Sequence, residues 1–236
     1  MSLDQLAGLL ADRTRAAFCM ALLDGRAWTA GELARHAGVS PSTASEHLSR
    51  LVAGGLLAEE RQGRHRYVRL ANPAAAALIE NLAVYASSVA APAATPGNLR
   101  ESVRMSAEAQ ARTCYDHLAG RLGVAVTDAV LARGLVSDDA GFAVTAAGRA
   151  WLASQGIDLA ALKGSRPLVR SCLDWTERRH HLAGTVGAAL CGRALDQRWV
   201  ERIGTGRALA VTPGGRTAFR ELLGLELPAR RPGGAE

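Results

Sequence analysis

Residues able to ligate a metal, move a proton or exchange electrons recur in two short runs of this 236-residue sequence. Cys114, Asp116 and His117 form the first, and Cys172, Asp174 and His181 the second, with His180 beside the last. Thiolate and imidazole are the donors of tetrahedral soft-metal sites, and two such runs supply enough of them to close one. Three residues apart, a cysteine and a histidine share one face if the segment is helical. The same residues also suit thiol redox chemistry, helix capping and packing in duplicated cores, or the lining of a small-molecule pocket with Tyr115 and Trp175. Cys19, between Phe18 and Met20, and Cys191 read as small buried hydrophobes. Four widely spaced cysteines do not make a disulfide framework, so reduced thiols in a cytoplasmic protein are expected.

A second set of polar residues is concentrated between Ser40 and Arg50: Ser40, Ser42, Thr43, Ser45, Glu46, His47, Ser49 and Arg50. Ala44, Leu48 and Leu51 interrupt it at helical spacing and read as the inward face of one helix. The outward face is then short, polar and rich in hydroxyls, as a helix entering a DNA major groove requires. Arg61, Arg64 and His65 follow around Gln62-Gly63 and form the basic tip of a β-hairpin suited to phosphates or a minor groove. His47 has two readings of equal standing, a phosphate contact or a histidine holding the helix against the hairpin. No dinucleotide loop, phosphate loop or nucleophile elbow occurs, so no catalytic residue is assigned and the protein is not read as an enzyme.

The elements that must position these residues are marked locally. Ser2 with Gln5 and Thr29 with Glu32 fit the capping box, and Asn72-Pro73 places a capping amide before a helix-starting proline. These signals predict helices near 2–11, 29–36 and 73–89, with another over 13–23 on the spacing of Ala16, Met20 and Leu23. Gly38 fits a positive φ at the turn between two helices, Val39 plugs it, and Ser40 and Pro41 cap and begin the next helix over 41–53. Strands over 56–61 and 64–70 complete a winged helix-turn-helix.

The stretch AAPAATPGN interrupts this periodicity and divides the chain into a DNA-binding and dimerisation domain at 1–90, a linker at 91–98, a C-terminal sensing or dimerisation domain at 99–227 and a flexible tail at 228–236. The C-terminal domain carries an internal repeat, HLAGRLGVAV at 117–126 and HLAGTVGAAL at 181–190. Val144-Thr145 with Gly148-Arg149 likewise recurs as Val211-Thr212 with Gly215-Arg216. The repeats span about 107–160 and 168–227, with WTERRH inserted in the second between its cysteine and histidine. The fold class is therefore mainly α with small β-wings: an N-terminal winged helix-turn-helix plus two degenerate winged-helix-like repeats. The first repeat even shows a helix-turn-helix spacing over 118–135, but Ala125 to Ala132 carries Asp128 and no basic residue, which disfavours DNA contact there.

A formal net charge of +6 favours a polyanionic partner, and nearly all the positive charge is arginine, Lys163 being the only lysine. No signal-like N-terminus or bilayer-length apolar run is found, so no membrane partner is expected.

LADRTRAAFCMALL, TAGELARHAGVSPSTASEHLSRLVAGGLL and RQGRHRYVRL together resemble the winged-helix repressors of the arsenic-responsive (ArsR) family, over about residues 3–90. The resemblance implies a homodimer that binds double-stranded DNA, pairs through the first and last helices of this unit and releases DNA when an inducer binds. Leu3, Leu6 and Leu10, with Leu78, Leu82, Tyr85 and Val89, would form that seam. The family's familiar metal positions are not matched: no cysteine opens the helix at Thr29, and residues 73–89 hold no His, Asp or Cys. The function expected is a ligand-responsive repressor acting as a homodimer on a pseudo-palindromic operator. The alternatives are a metal or thiol-redox sensor using the C-terminal Cys/His set and, least favoured, an enzyme with a vestigial DNA-binding unit. No cofactor is assigned beyond a transition metal or small-molecule inducer as effector.

Overall fold

Short polar side chains begin most of the N-terminal helices by accepting backbone N–H groups that a helix start leaves orphaned. In the computed structural model, which describes residues 1–63, 65–89, 99–139, 141–162, 166–204 and 206–228, α1 (Leu3–Leu10) starts after Ser2 and α2 (Arg13–Ala21) after Asp12. The Ser2 N–H donates to Gln5 Oε1 (2.9 Å), and Asp12 accepts from the Arg15 N–H (2.9 Å). A 3-10 turn at Leu22–Asp24 leads to the short strand β1 (Trp28–Thr29), and α3 (Ala30–Ala37) starts from Thr29. Thr29 donates its N–H to Glu32 Oε2 (2.7 Å) and accepts the Glu32 N–H (3.2 Å), a full capping box. Gly38 ends α3 at φ 67°, and α4 (Pro41–Ala53) begins at Ser40, which accepts the Thr43 N–H (3.2 Å). Strands β2 (Leu57–Gln62) and β3 (His65–Leu70) form the hairpin, and α5 (Pro73–Val89) follows, with Asn72 Oδ1 accepting the Ala75 N–H (2.9 Å).

The hairpin gains a strand that the sequence did not predict, because β1 pairs antiparallel with β3 and the sheet order is β1-β3-β2. Phe18, Leu22, Leu33, Ala44, Leu48, Leu51, Val68 and Ile79 make the core under it. Leu3, Leu82, Tyr85 and Val89 stay exposed on α1 and α5. The expected linker at 91–98 and tail residues 229–236 lie outside the described residues.

After α6 (Leu99–Gln110) the order of elements repeats. Hairpin β4 (Arg112–Cys114) and β5 (His117–Ala119), α7 (Gly120–Ala132), hairpin β6 (Val136–Ser137) and β7 (Ala143–Val144), and α8 (Ala146–Ser154) come first. Hairpin β8 (Arg170–Leu173) and β9 (His180–Ala183), α9 (Gly184–Asp196), hairpin β10 (Val200–Arg202) and β11 (Leu209–Val211), and α10 (Pro213–Leu223) come second. Thr145 and Thr212 start α8 and α10 alike, each accepting the N–H of a glycine three residues on at 2.9 Å. The helix-turn-helix spacing expected over 118–135 is corrected: strand β5 runs directly into one continuous helix, α7. Nothing caps a second helix start there, and the Thr127 hydroxyl instead donates back to the Gly123 carbonyl (2.8 Å), inside an unbroken helical ladder.

By compactness the chain divides into Met1–Ser102 with Thr113–Asp116 and Gly204–Arg207, and Val103–Arg112 with His117–Ile203 and Ala208–Glu236. Leu118, Leu122, Val126, Val130, Leu152, Val186, Leu190, Val200, Phe219 and Leu223 lie in the second core. Glycine is required at the starts of its two long helices. A Cβ on Gly123 would collide with the Leu118 carbonyl and reach to 3.6 Å from the Cβ of His181, and one on Gly187 would stand 2.6 Å from the Leu182 carbonyl and 3.3 Å from the Cβ of His117. Each helix thus packs its bare backbone against the histidine of the other hairpin.

Candidate functional site

On α4 the buried triplet Ala44, Leu48 and Leu51 turns the polar residues outward as the spacing predicts. Ser40, Ser42, Glu46, Ser49 and Arg50 are exposed, and Thr43 and Ser45 half-buried. Ser40 Oγ stands 2.8 Å from both Ser42 Oγ and Thr43 Oγ1, so three hydroxyls cluster at the helix N-terminus. Arg50 donates to Glu46 Oε1 (2.6 Å) across one helical turn. Arg61 is 77% exposed at the wing, 3.8 Å from Glu59. Arg64 and the side chain of His65 lie outside the described residues.

His47 faces inward from the same helix: its Nδ1 is 3.2 Å from Arg15 Nη1 and 3.6 Å from Asp12 Oδ1. These neighbours lie on α2 and at its N-cap rather than on the hairpin. Sequence reasoning missed Arg15, which is buried and also donates to the carbonyls of Gly8 and Leu9, fastening α1 and α4 to α2. The signal for it was a charged residue on the inward face of a core helix. Arg66 was missed too. It pairs with Glu59 at 2.6 Å and reaches Ser49 Oγ at 3.4 Å, so the wing and α4 share a polar contact.

In the second unit the structure gathers His117, Cys172 and His181, whose ligand atoms lie within 4.8 Å of one another. All three are buried, His181 completely, and Cys114, in the first unit, is buried with its thiol donating to Glu80 Oε1 at 2.8 Å. The expectation that Cys-x-x-His shares a helix face is corrected, because both pairs lie on hairpins. Tyr115 at φ 57° reverses the chain between Cys114 and His117. Cys172 and His181 are opposite partners in the β8–β9 ladder. Strand alternation then sorts the neighbours: Cys172, Asp174 and His181 are buried, while Leu173 and His180 between them are exposed. Asp116 is half-buried and is not part of the group.

The two imidazoles meet Nε2 to Nε2 at 3.1 Å. Behind His181, Asp174 Oδ2 stands 3.3 Å from its Nδ1 and accepts the Gly120 N–H at 2.7 Å. Asp174 Oδ1 accepts from Arg112 Nη2 (2.9 Å), from Thr176 Oγ1 (2.6 Å) and from the Thr176 N–H (2.9 Å). Burial opposes ionisation of Asp174, but the bonds from His181, Thr176 and Arg112 together with the Arg112 charge outweigh it and hold the carboxyl well below the usual carboxylate range. Arg112 is itself fully buried, with its guanidinium 4.9 Å over the Trp175 ring. The inserted WTERRH segment thus forms the turn over Asp174, a role its composition did not announce. Cys19 lies elsewhere in the core, where burial pushes its thiol up to about 12. The apolar cavity lined by Leu118, Val126, Leu190, Trp199 and Phe219 holds about 20 Å³, room for one water and not for a metabolite.

A capped helix-turn-helix with a three-stranded wing defines a DNA-binding regulator, and comparison with known proteins agrees. The helix-turn-helix domain family matches residues 10–60. The HTH-type transcriptional regulator YdfF of Bacillus subtilis strain 168 is 39% identical over 225 residues, covering 94% of this chain and 97% of that protein. Among solved structures, a homodimeric winged helix-turn-helix DNA-binding domain from Mycobacterium bovis is 28% identical over 39% of this chain and 88% of that one, with a TM-score of 0.34. A cadmium metal sensor from Mycobacterium tuberculosis is 34% identical over 41% of this chain and 97% of that one, with a TM-score of 0.31. The chain belongs to the HTH-type transcriptional regulators, and its N-terminal unit is a winged helix-turn-helix. Among the described residues no helix is long and apolar enough to cross a membrane.

Proposed function

We propose that the protein is a cytoplasmic, ligand-responsive repressor that reads a pseudo-palindromic operator as a homodimer. The observation that carries this reading is α4: capped by Ser40, inward-facing through Ala44, Leu48 and Leu51, and presenting Ser42, Ser49 and Arg50 to solvent, with Ser45 half-buried beside them. Ser42, Thr43 and Ser45 would meet base edges, Arg50 a base or phosphate, and Arg61, with Arg64 and His65, the flanking backbone. His47 would hold α4 in place and Glu46 would tune Arg50. The exposed Leu3, Leu82, Tyr85 and Val89 supply an apolar seam for a second copy, setting half-sites about 34 Å or a small multiple apart. The C-terminal unit, which we read as two repeats from its recurring element order, would receive the effector and contribute to dimerisation.

Selection from a random duplex library, followed by anisotropy titration of the enriched site, tests the reading. Arg61→Ala weakens binding to all sequences alike and lowers the salt slope by about one, whereas Ser45→Ala changes preference at particular base pairs. Two variants that both bind like the wild type at moderate salt would overturn the interface.

A further inference from the structure

We infer that His117, Cys172 and His181 form a three-ligand site for a thiophilic divalent transition-metal ion of the zinc class, its fourth tetrahedral position left to water or an added ligand, with Asp174 positioning His181. Donors bound to one such ion at about 2.0 to 2.3 Å stand about 3.3 to 3.8 Å apart, and the three ligand atoms already lie within 4.8 Å of one another. They must draw together by about 1 Å at most to close on a common centre.

The arrangement around His181 gives the metal reading its direction. A neutral imidazole carries its single proton on one nitrogen, and the Asp174 carboxylate at Nδ1 draws it there. Nε2 is left with its lone pair aimed at Nε2 of His117, 3.1 Å away. A carboxylate behind a ligand histidine is the usual outer partner in metal sites, where it fixes tautomer and ring orientation. Charge is partly offset as well. Asp174 is neutralised by Arg112, and the Cys172 thiolate offsets one charge of a divalent ion. Loading the site releases the Cys172 thiol proton and changes no oxidation state. Cys19 and Cys191 are not in the group.

This inference deepens the effector role given above to the C-terminal unit and rests on it for regulatory meaning, but its readout needs no DNA. The full chain, reduced and stripped with chelator, is titrated with cobalt(II), a visible probe of zinc sites. The expected result is one equivalent per chain with the d–d bands of tetrahedral cobalt and sulfur-to-cobalt charge transfer, displaced by zinc. Cys172→Ser and His181→Gln lose the spectrum, and Cys191→Ser keeps it. Asp174→Asn lowers affinity about 10- to 100-fold and shifts the bands, as lost orientation of a ligand does. Circular dichroism of each metal-free variant separates ligand loss from misfolding, and the wild-type titration stands without any variant. Absence of stoichiometric cobalt and zinc binding by the reduced wild type overturns the site, as does a spectrum that survives in folded Cys172→Ser and His181→Gln. If metal binds but DNA affinity is unchanged, the effector reading fails and the site stands. If DNA binding itself is absent, the operator reading fails alone.

Discussion

The two halves of this chain treat polar side chains in opposite ways. Along α4 the hydroxyls and Arg50 stand in water, joined by local bonds such as Ser40 to Thr43 and Arg50 to Glu46. Under the β8–β9 hairpin, Asp174, Arg112, His117 and His181 are taken wholly or almost wholly out of water, and Asp174 and Arg112 are bonded on several sides. An exposed pair is weakened by solvent and gains little from being formed, whereas a buried one loses much when either partner goes. The first arrangement suits a surface that must trade its contacts for those of a ligand, and the second a centre whose geometry must not drift.

That comparison can be broken at several points. The largest effect is expected at Arg112→Ala, which leaves the Asp174 charge buried and uncompensated and costs about 3 to 5 kcal/mol. Urea unfolding followed by fluorescence measures it, and a loss under about 1 kcal/mol would mean that water reaches Asp174. An intermediate effect is expected at Thr29→Ala, which removes a helix cap for about 1 kcal/mol. The bonds from the Thr29 backbone and hydroxyl hold the Glu32 carboxyl below its ordinary value. Its contribution is therefore complete above the unfolded carboxylate range near pH ~4.3 and is lost as pH falls through the folded value. The stability gap between wild type and variant should narrow on acidification, and a gap that widened would contradict the cap. Arg50→Ala should be the smallest, within about 0.5 kcal/mol, because the Arg50–Glu46 pair is more than half exposed. A larger loss would place α4's outer face in the folded core's service rather than DNA's.

Legibility followed the range of the forces involved. Thr29 with Glu32, Ser40 with Pro41 and Asn72 with Pro73 act within four residues, so their spacing announced the helices of the winged unit directly. The two Cys/His runs were visible as chemistry, but their hairpins were not, since the reversal depends on Tyr115 adopting a positive φ that its type does not suggest. Arg112 and Asp174 are 62 residues apart, and no periodicity in either segment ties them together. Strand β1 was missed because two residues carry no alternation to read. His47 and Arg15 meet from 32 residues apart, a contact that no local spacing announces.

The glycines in the first turns of α7 and α9 bear on how such a centre persists. A Cβ on Gly123 would collide with the Leu118 carbonyl and one on Gly187 with the Leu182 carbonyl, so each helix lies directly against the strand that carries His117 or His181. Leucines and valines of the surrounding core exchange for one another at modest cost, whereas a single methyl group added at either glycine pushes a helix off the strand that holds one of the imidazoles. Mutational tolerance around the histidines should accordingly be uneven, generous in the apolar layer and nearly nil at two residues that carry no side chain at all.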